Sequence, residues 1–430
     1  MPNDSTPALI REEYGPVPGG VPGEAHRPHV LRVGPADAST VLVLLGGREG
    51  SAGVFRPAAR HLAAEVPGLQ VWAVDRREQT LSDLSGFDLE PDEARRYYLD
   101  GEYRAQTAET APDAGEWGLA VLLDDIRDTV RAASDGGRRN VVLGGHSLGA
   151  AEALLYAAWD FDGHPGHRDL VGLVAVDGGV HHAFSGAGFS FELSLEQAKG
   201  WLQQTKSGGY FENASSTGAG FGELPELAAL WFQLAALHAV KDPDGASELA
   251  AVAPEPYRTA EALTNRGFFG HLVDAAMHHP GFTLTTGRPD GDGGWTDDGP
   301  TPLDRAAEAF AGTRPGAWVW YTLNRLMIDL VASIDYTSDG DLAQLLGLRV
   351  LHSKDVALPL YAAQSGFSRG TVGQAAAKVV AESRIGTFEL HTDESLSHQD
   401  LLLATPERNV LLRTLPAFLA GITAAGGEAR

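Results

Sequence analysis

The sequence predicts an α/β fold: a mostly parallel sheet with helices on both faces. Three observations carry this. Short apolar runs alternate with amphipathic helical stretches up to about residue 180, the same rhythm resumes near residue 345, and the region between them holds helical patterns and loose loops but no strand-helix alternation. The economical arrangement is one α/β domain, residues 1–180 and 345–430, interrupted by a helical insertion at 181–344.

The elements follow in order. Residues 9–14 and 29–33 read as two early strands, joined across a Pro/Gly stretch. Residues 40–45 (TVLVLL) are a buried strand that runs into Gly46-Gly47-Arg48-Glu49-Gly50-Ser51 and then a helical pattern at 55–64. The next strand, 69–74, ends at Asp75, and 119–133 reads as an amphipathic helix, with Leu122, Ile126 and Val130 on one face. A buried strand at 140–144 leads to a helix at 148–159, and a strand at 170–176 ends at Asp177. Within the insertion, helices are expected at 195–206, 224–240, 257–279 and 317–333, with Gly-, Ser- and Asp-rich loops at 207–222 and 285–302. Beyond it come a strand at 348–352, a helix at 371–383, a strand at 387–391 and a final helix at 411–419.

Composition bounds the function. Apolar residues make up 43% of the 430-residue chain and charged residues 21%, ordinary for a soluble globular protein able to bury a large core. The formal net charge of −24 repels phosphate backbones and anionic lipid, which argues against a nucleic-acid partner or a polybasic membrane contact. The absence of cysteine excludes disulfides, thiolate nucleophiles and Cys-ligated metals. The first twenty residues are polar, without the basic start and apolar run of a signal peptide, and no continuous apolar stretch reaches the length of a membrane span. The expected location is cytoplasmic, or secreted if a leader has been removed.

The chemistry concentrates at Gly145-His146-Ser147-Leu148-Gly149, a G-x-S-x-G motif between a buried strand and a helix. A sharp strand-to-helix turn needs small neighbours, lifts the serine hydroxyl clear of the sheet and sets it on a helix N-terminus with unpaired N–H groups. In this context the motif resembles the nucleophile elbow of the α/β-hydrolase superfamily, and the resemblance covers about 40–179 and 348–419. It implies an α/β-hydrolase fold with the insertion forming a cap ahead of the penultimate strand. Ser147 is then the nucleophile. The Gly46-Gly47-Arg48 segment resembles the family's strand-end loop, with Gly46 where many members carry His. It implies an oxyanion hole made by the backbone N–H of Leu148 and of Arg48, or of Gly47 in its place.

The triad order in this superfamily is Ser, acid, His. His398 follows the last strand and stands where the resemblance puts the catalytic base; His391, at the strand end itself, is a poorer rival. The acid is expected at Asp355, after the strand 348–352, although Ser353 departs from the family's Gly-x-x-Asp pattern. Asp177, ending the preceding strand, is the alternative.

Five of the eight tryptophans fall in the insertion: Trp201, Trp231, Trp295, Trp318 and Trp320. An aromatic-rich cap implies a bulky apolar substrate, with Trp318, Trp320 and His146 expected against it. No metal is expected. Adjacent histidines (His181-His182, His278-His279) cannot both chelate easily, and the Asp290–Asp292 loop lacks the later ligands of a calcium loop. No Gly-Lys-Ser/Thr follows the Gly46 loop, so no nucleotide site is expected. The expected activity is hydrolysis of a carboxylic ester of a bulky apolar small molecule through an acyl-enzyme, without cofactor; a lactone is a close rival. Thioester, amide or C–C cleavage uses the same residues. Haloalkane dehalogenation needs Asp where Ser147 stands. The reading of another class is a non-catalytic ligand-binding protein of the same fold.

Overall fold

A computed structural model describes residues 10–19, 25–189, 192–211, 227–255, 257–259, 261–276, 281–312 and 314–428. Eight strands form one sheet: β1 (Glu12–Pro16), β2 (His29–Val33), β3 (Thr40–Leu45), β4 (Leu69–Asp75), β5 (Asn140–His146), β6 (Gly172–Val176), β7 (Leu360–Ser365) and β8 (Phe388–Asp393). Their spatial order is β1-β2-β4-β3-β5-β6-β7-β8. The pairs β1–β2 and β2–β4 are antiparallel, and every pair from β4 to β8 is parallel. Strands β3 and β4 are buried along their whole length, as the uninterrupted apolar run TVLVLL and its neighbour LQVWAVD require.

The order reverses at β3. The chain runs from β3 through helix α1 (Arg56–Glu65) to β4 on one side, then returns through α2 (Leu119–Ser134) to β5 on the other side and on through α3 (Leu148–Ala158) to β6. Right-handed crossovers in opposite directions put α1 and α3 on opposite faces of the sheet. The crevice between β3 and β5 is therefore a topological switch point, and the carboxyl ends of the strands there are where a ligand site is built. Helices α4 (Thr371–Glu382) and α5 (Val410–Glu428) follow β7 and β8.

Between β6 and β7 the described residues contain helices at Leu195–Lys206, Leu227–Lys241, Glu248–Val252, Asn265–Val273, Leu303–Ala311, Asn324–Ala332 and Gly340–Leu346. The expected helix at 257–279 shortens to Asn265–Val273, with Thr264 capping its N-terminus through Gly267 N–H. That at 317–333 shortens to Asn324–Ala332, because 317–319 is extended and pairs with the Gly50 loop. Residue 9 of the first expected strand, 212–222 of one loop, 224–226 of one helix and His278 and His279 lie outside the described residues.

One strand differs in a way that matters for function. Residues 348–352 (LRVLH) carry the stronger β pattern, but they form only an isolated bridge from Val350 to Trp159. The penultimate strand is Leu360–Ser365 (LYAAQS), poorer in β-branched residues yet fully buried between β6 and β8. Tertiary burial overrides the local preference.

Candidate active site

Ser147 leaves β5 with φ 58° and ψ −119°, the left-handed turn that lifts its side chain off the sheet. Tight neighbours hold this turn. A Cβ on Gly145 would lie 2.3 Å from Gly149, and one on Gly178 would lie 2.0 Å from the Ser147 carbonyl oxygen, so both positions require glycine. Ser147 N–H donates to Val176 O at 2.9 Å, fixing the turn to the end of β6. Leu148 opens α3, so its N–H is among the first of the helix, which have no partner within it.

His398 sits in the loop after β8, and its Nδ1 lies 2.7 Å from Asp177 Oδ2. Asp177 is the first residue after β6 and is fully buried. It also accepts Ser365 N–H at 2.9 Å and Ser365 Oγ–H at 2.5 Å. Three donors converge on this one carboxylate and aim it at the imidazole. A carboxylate on Nδ1 places the ring proton there and leaves Nε2 able to accept.

Asp355 is not the partner of His398, which corrects the preferred sequence assignment. The reason is the shifted penultimate strand. Asp355 precedes β7 and stands at the amino end of the parallel strands, while Ser147, Asp177 and the loop of His398 follow the carboxyl ends of β5, β6 and β8. It is half exposed, 3.6 Å from Arg384 and 3.7 Å from His352. At the carboxyl end of β7, where an acid was expected, Ser365 stands and braces Asp177 instead. The rival base His391 lies within β8, stacked on Tyr361 and 3.2 Å from Glu389.

His146 was expected against substrate. It is buried, and its Nε2–H donates to the His398 carbonyl at 3.0 Å, with the two rings 4.3 Å apart. Burial, then the neighbouring His398, holds its imidazole well below the usual histidine range, so His146 stays neutral. It ties the turn before Ser147 to the loop of His398.

Trp318 and Trp320 also move from the expected substrate wall into packing. Trp320, 1% exposed, lies among Phe87, Tyr98 and Tyr103 and donates Nε1–H to Gln233 at 2.5 Å. Trp318, 5% exposed, stacks on Phe232 and meets Phe310 edge-on. The aromatics beside His398 are phenylalanines. Phe282 stacks on its ring at 5.2 Å, Phe367 lies at 5.2 Å and Phe184 at 5.6 Å. All three are part-exposed, and Phe189, 43% exposed, extends the group from Phe184 and Phe367. Their separation in sequence hid them, since they meet only through the loops after β6 and β7 and residues 281–283.

Gly47 faces the serine: a Cβ on it would lie 3.1 Å from Ser147 Cβ. Among the described residues no group of three His, Asp or Glu side chains is placed to hold a metal, and no helix is long and apolar enough to cross a membrane.

No protein-family model matches the chain, and no curated protein matches its sequence. Solved structures do match. A candidate lipase from Sulfolobus solfataricus aligns with a TM-score of 0.53 and 14% identity, over 92% of this chain and 89% of that one. Epoxide hydrolase A from Mycobacterium thermoresistibile aligns at 0.44 with 15% identity, over 96% and 98% of the two chains. A soluble variant of monoglyceride lipase from Saccharomyces cerevisiae aligns at 0.42 with 12% identity, over 99% and 97%. The sheet order, the turn at Ser147 and the first of these likenesses together establish an α/β-hydrolase fold.

Proposed function

We propose that the protein is a serine hydrolase that cleaves a carboxylic ester of an apolar substrate, with Ser147, His398 and Asp177 as its triad. The observation that carries this reading is the 2.7 Å contact between His398 Nδ1 and buried Asp177, held beside the turn of Ser147 by His146. An Asp–His pair costs desolvation, and it is built here at the carboxyl ends of the strands, beside a strained serine.

Ser147 Oγ attacks the ester carbonyl while His398 Nε2 takes its proton. Asp177 keeps the proton on Nδ1 and stabilises the imidazolium that forms. The N–H groups of Leu148 and Arg48 receive the developing oxyanion. His398 then protonates the leaving alcohol, which departs and leaves an acyl-enzyme. Water, deprotonated by His398, attacks the acyl carbon and releases the acid and free Ser147. No cofactor takes part in these steps.

The helical segment 181–344 serves as a cap in this reading. Phe282 lies within it and stacks on His398, and Val319 N–H donates to Glu49 O beside the oxyanion loop. The phenylalanines around His398 favour an apolar substrate, each buried methylene adding about 0.8 kcal/mol. The test is turnover of p-nitrophenyl esters by the wild type and by Ser147→Ala. The wild type turns over and the variant, folded, does not; equal rates in both overturn the assignment.

A further inference from the structure

The residue after β4, Arg76, is 4% exposed, and its guanidinium is wrapped by one loop. Its Nη2 donates to Gly47 O at 2.9 Å and to Arg48 O at 2.8 Å, and its Nη1 reaches Gly46 O at 3.4 Å. Two buried carboxylates hold the guanidinium in turn: Glu152 accepts from Nη1 at 3.1 Å, and Glu78 lies 2.7 Å from Nε. Three consecutive carbonyls on one cation are not a helix or strand pattern. They fix the orientation of consecutive peptide planes.

A trans peptide is planar, and its C=O and N–H point in opposite directions. Arg76 grips the carbonyl of Gly47, so the N–H of the same peptide, which belongs to Arg48, is turned away from Arg76. The same holds for Gly46 O and the Gly47 N–H, through a longer contact. Gly47 itself abuts Ser147. We propose that Arg76 is a positioning residue that preorganises the oxyanion hole, by holding the Gly46–Arg48 carbonyls so that the Arg48 N–H faces the reacting carbonyl oxygen. It touches no substrate. Of the two candidate donor peptides, the one between Gly47 and Arg48 is held at 2.9 Å and the one between Gly46 and Gly47 at 3.4 Å, which favours Arg48 over Gly47 as the donor. Glu152, one turn into α3, and Glu78 keep the guanidinium from rotating. A neutral side chain would leave the Gly47 carbonyl to the Gly50 N–H alone, at 3.1 Å, and a lysine would supply the charge without the planar fork.

This inference rests on the proposed ester hydrolysis, and the experiment separates the two. Turnover of an ester and of its thionoester, C=S in place of C=O, is measured for wild type and Arg76→Lys, per active site titrated to completion with a fluorophosphonate. A donor pair set for oxygen favours the oxo-ester, and sulfur, larger and a poorer acceptor, gains little from it. In Arg76→Lys, kcat on the oxo-ester falls on the order of 10²-fold, the scale of losing one oxyanion donor. The thionoester rate changes little and KM holds, so the oxo/thiono ratio collapses. Equal losses on both substrates, or no loss, overturn the proposal, since a merely structural role lowers both alike. If Arg76→Lys yields no folded protein, Glu78→Gln decides: it leaves the carbonyl contacts in place, loosens only the guanidinium, and must lower the same ratio to a smaller extent. An unchanged ratio there overturns the proposal. Absence of wild-type turnover and labelling strikes the ester-hydrolase reading itself.

Discussion

Asp177 and His398 stand 2.7 Å apart although 221 positions separate them in the chain. One follows β6 and the other the edge strand β8, and β7 lies between those strands. Ser365, at the end of β7, fills the gap with two hydrogen bonds to Asp177. The acid therefore reaches the base across a neighbouring strand.

Asp177→Asn should lower kcat by up to about 10⁴-fold, because an amide on Nδ1 permits the wrong imidazole tautomer. Asp355→Asn should stay within about twofold, since that half-exposed carboxylate pairs with Arg384 and His352 at the amino end of the parallel strands, away from Ser147. Steady-state kinetics on one ester with both variants checks this. The reverse order would return the acid to Asp355.

Much of this site is legible in the sequence, and the exceptions have physical causes. Ser147 and His398 declare themselves because a serine between glycines after a buried strand, and a histidine just past the last strand, are local patterns. The acid is not local. Its identity depends on which apolar run enters the sheet, and 348–352, with Val350 between two leucines, reads as the better strand than LYAAQS although only the latter is buried between two strands. Arg76 leaves a faint trace: Glu152 is a single charge in an otherwise apolar helix (LGAAEALLYAA), and such a charge needs a buried partner. The phenylalanine group around His398 has no sequence signal, because its members come from three separate segments.

Trp320→Ala should cost about 3–5 kcal/mol of stability by opening a cavity among Phe87, Tyr98 and Tyr103, and should affect short and bulky esters alike. Phe184→Ala and Phe367→Ala should instead lower kcat/KM more for a bulky ester than for an acetate. Thermal unfolding together with kcat/KM for the two substrates distinguishes these outcomes. A selective effect from Trp320 would restore the tryptophans to the substrate wall.

Glu152 has its carboxyl pushed up to about 7 by burial, against the opposing pull of Arg76. Its Oε2 is buried with no hydrogen-bond partner among the described residues. A carboxyl whose folded value is raised stabilises the fold fully below its unfolded value, and that contribution is lost as pH rises through the folded value. Stability should therefore decline from about pH 4.5 toward 7 through this group. Glu152→Gln should flatten the profile in that window, as urea midpoints across the range will show. An unchanged slope would mean that Glu152 stays ionised throughout.

Gly178→Ala should abolish activity or folding, since the added Cβ would lie 2.0 Å from the Ser147 carbonyl oxygen. Gly163→Ala, a loop glycine with nothing near its Cβ position, is the control, and only its positive φ opposes it. Circular dichroism and ester turnover of the two variants check the contrast. Full activity in Gly178→Ala would mean the turn around Ser147 is looser than described.

The central claim is that Ser147 is a nucleophile activated by His398 and Asp177. The most direct measurement is intact-mass and peptide mass spectrometry after exposure to a fluorophosphonate, on wild type, Ser147→Ala and His398→Ala. The account predicts one adduct per wild-type chain, on the peptide carrying Ser147, none on Ser147→Ala and a labelling rate reduced by orders of magnitude in His398→Ala. No adduct on the wild type, or an adduct on another residue that survives Ser147→Ala, would contradict it.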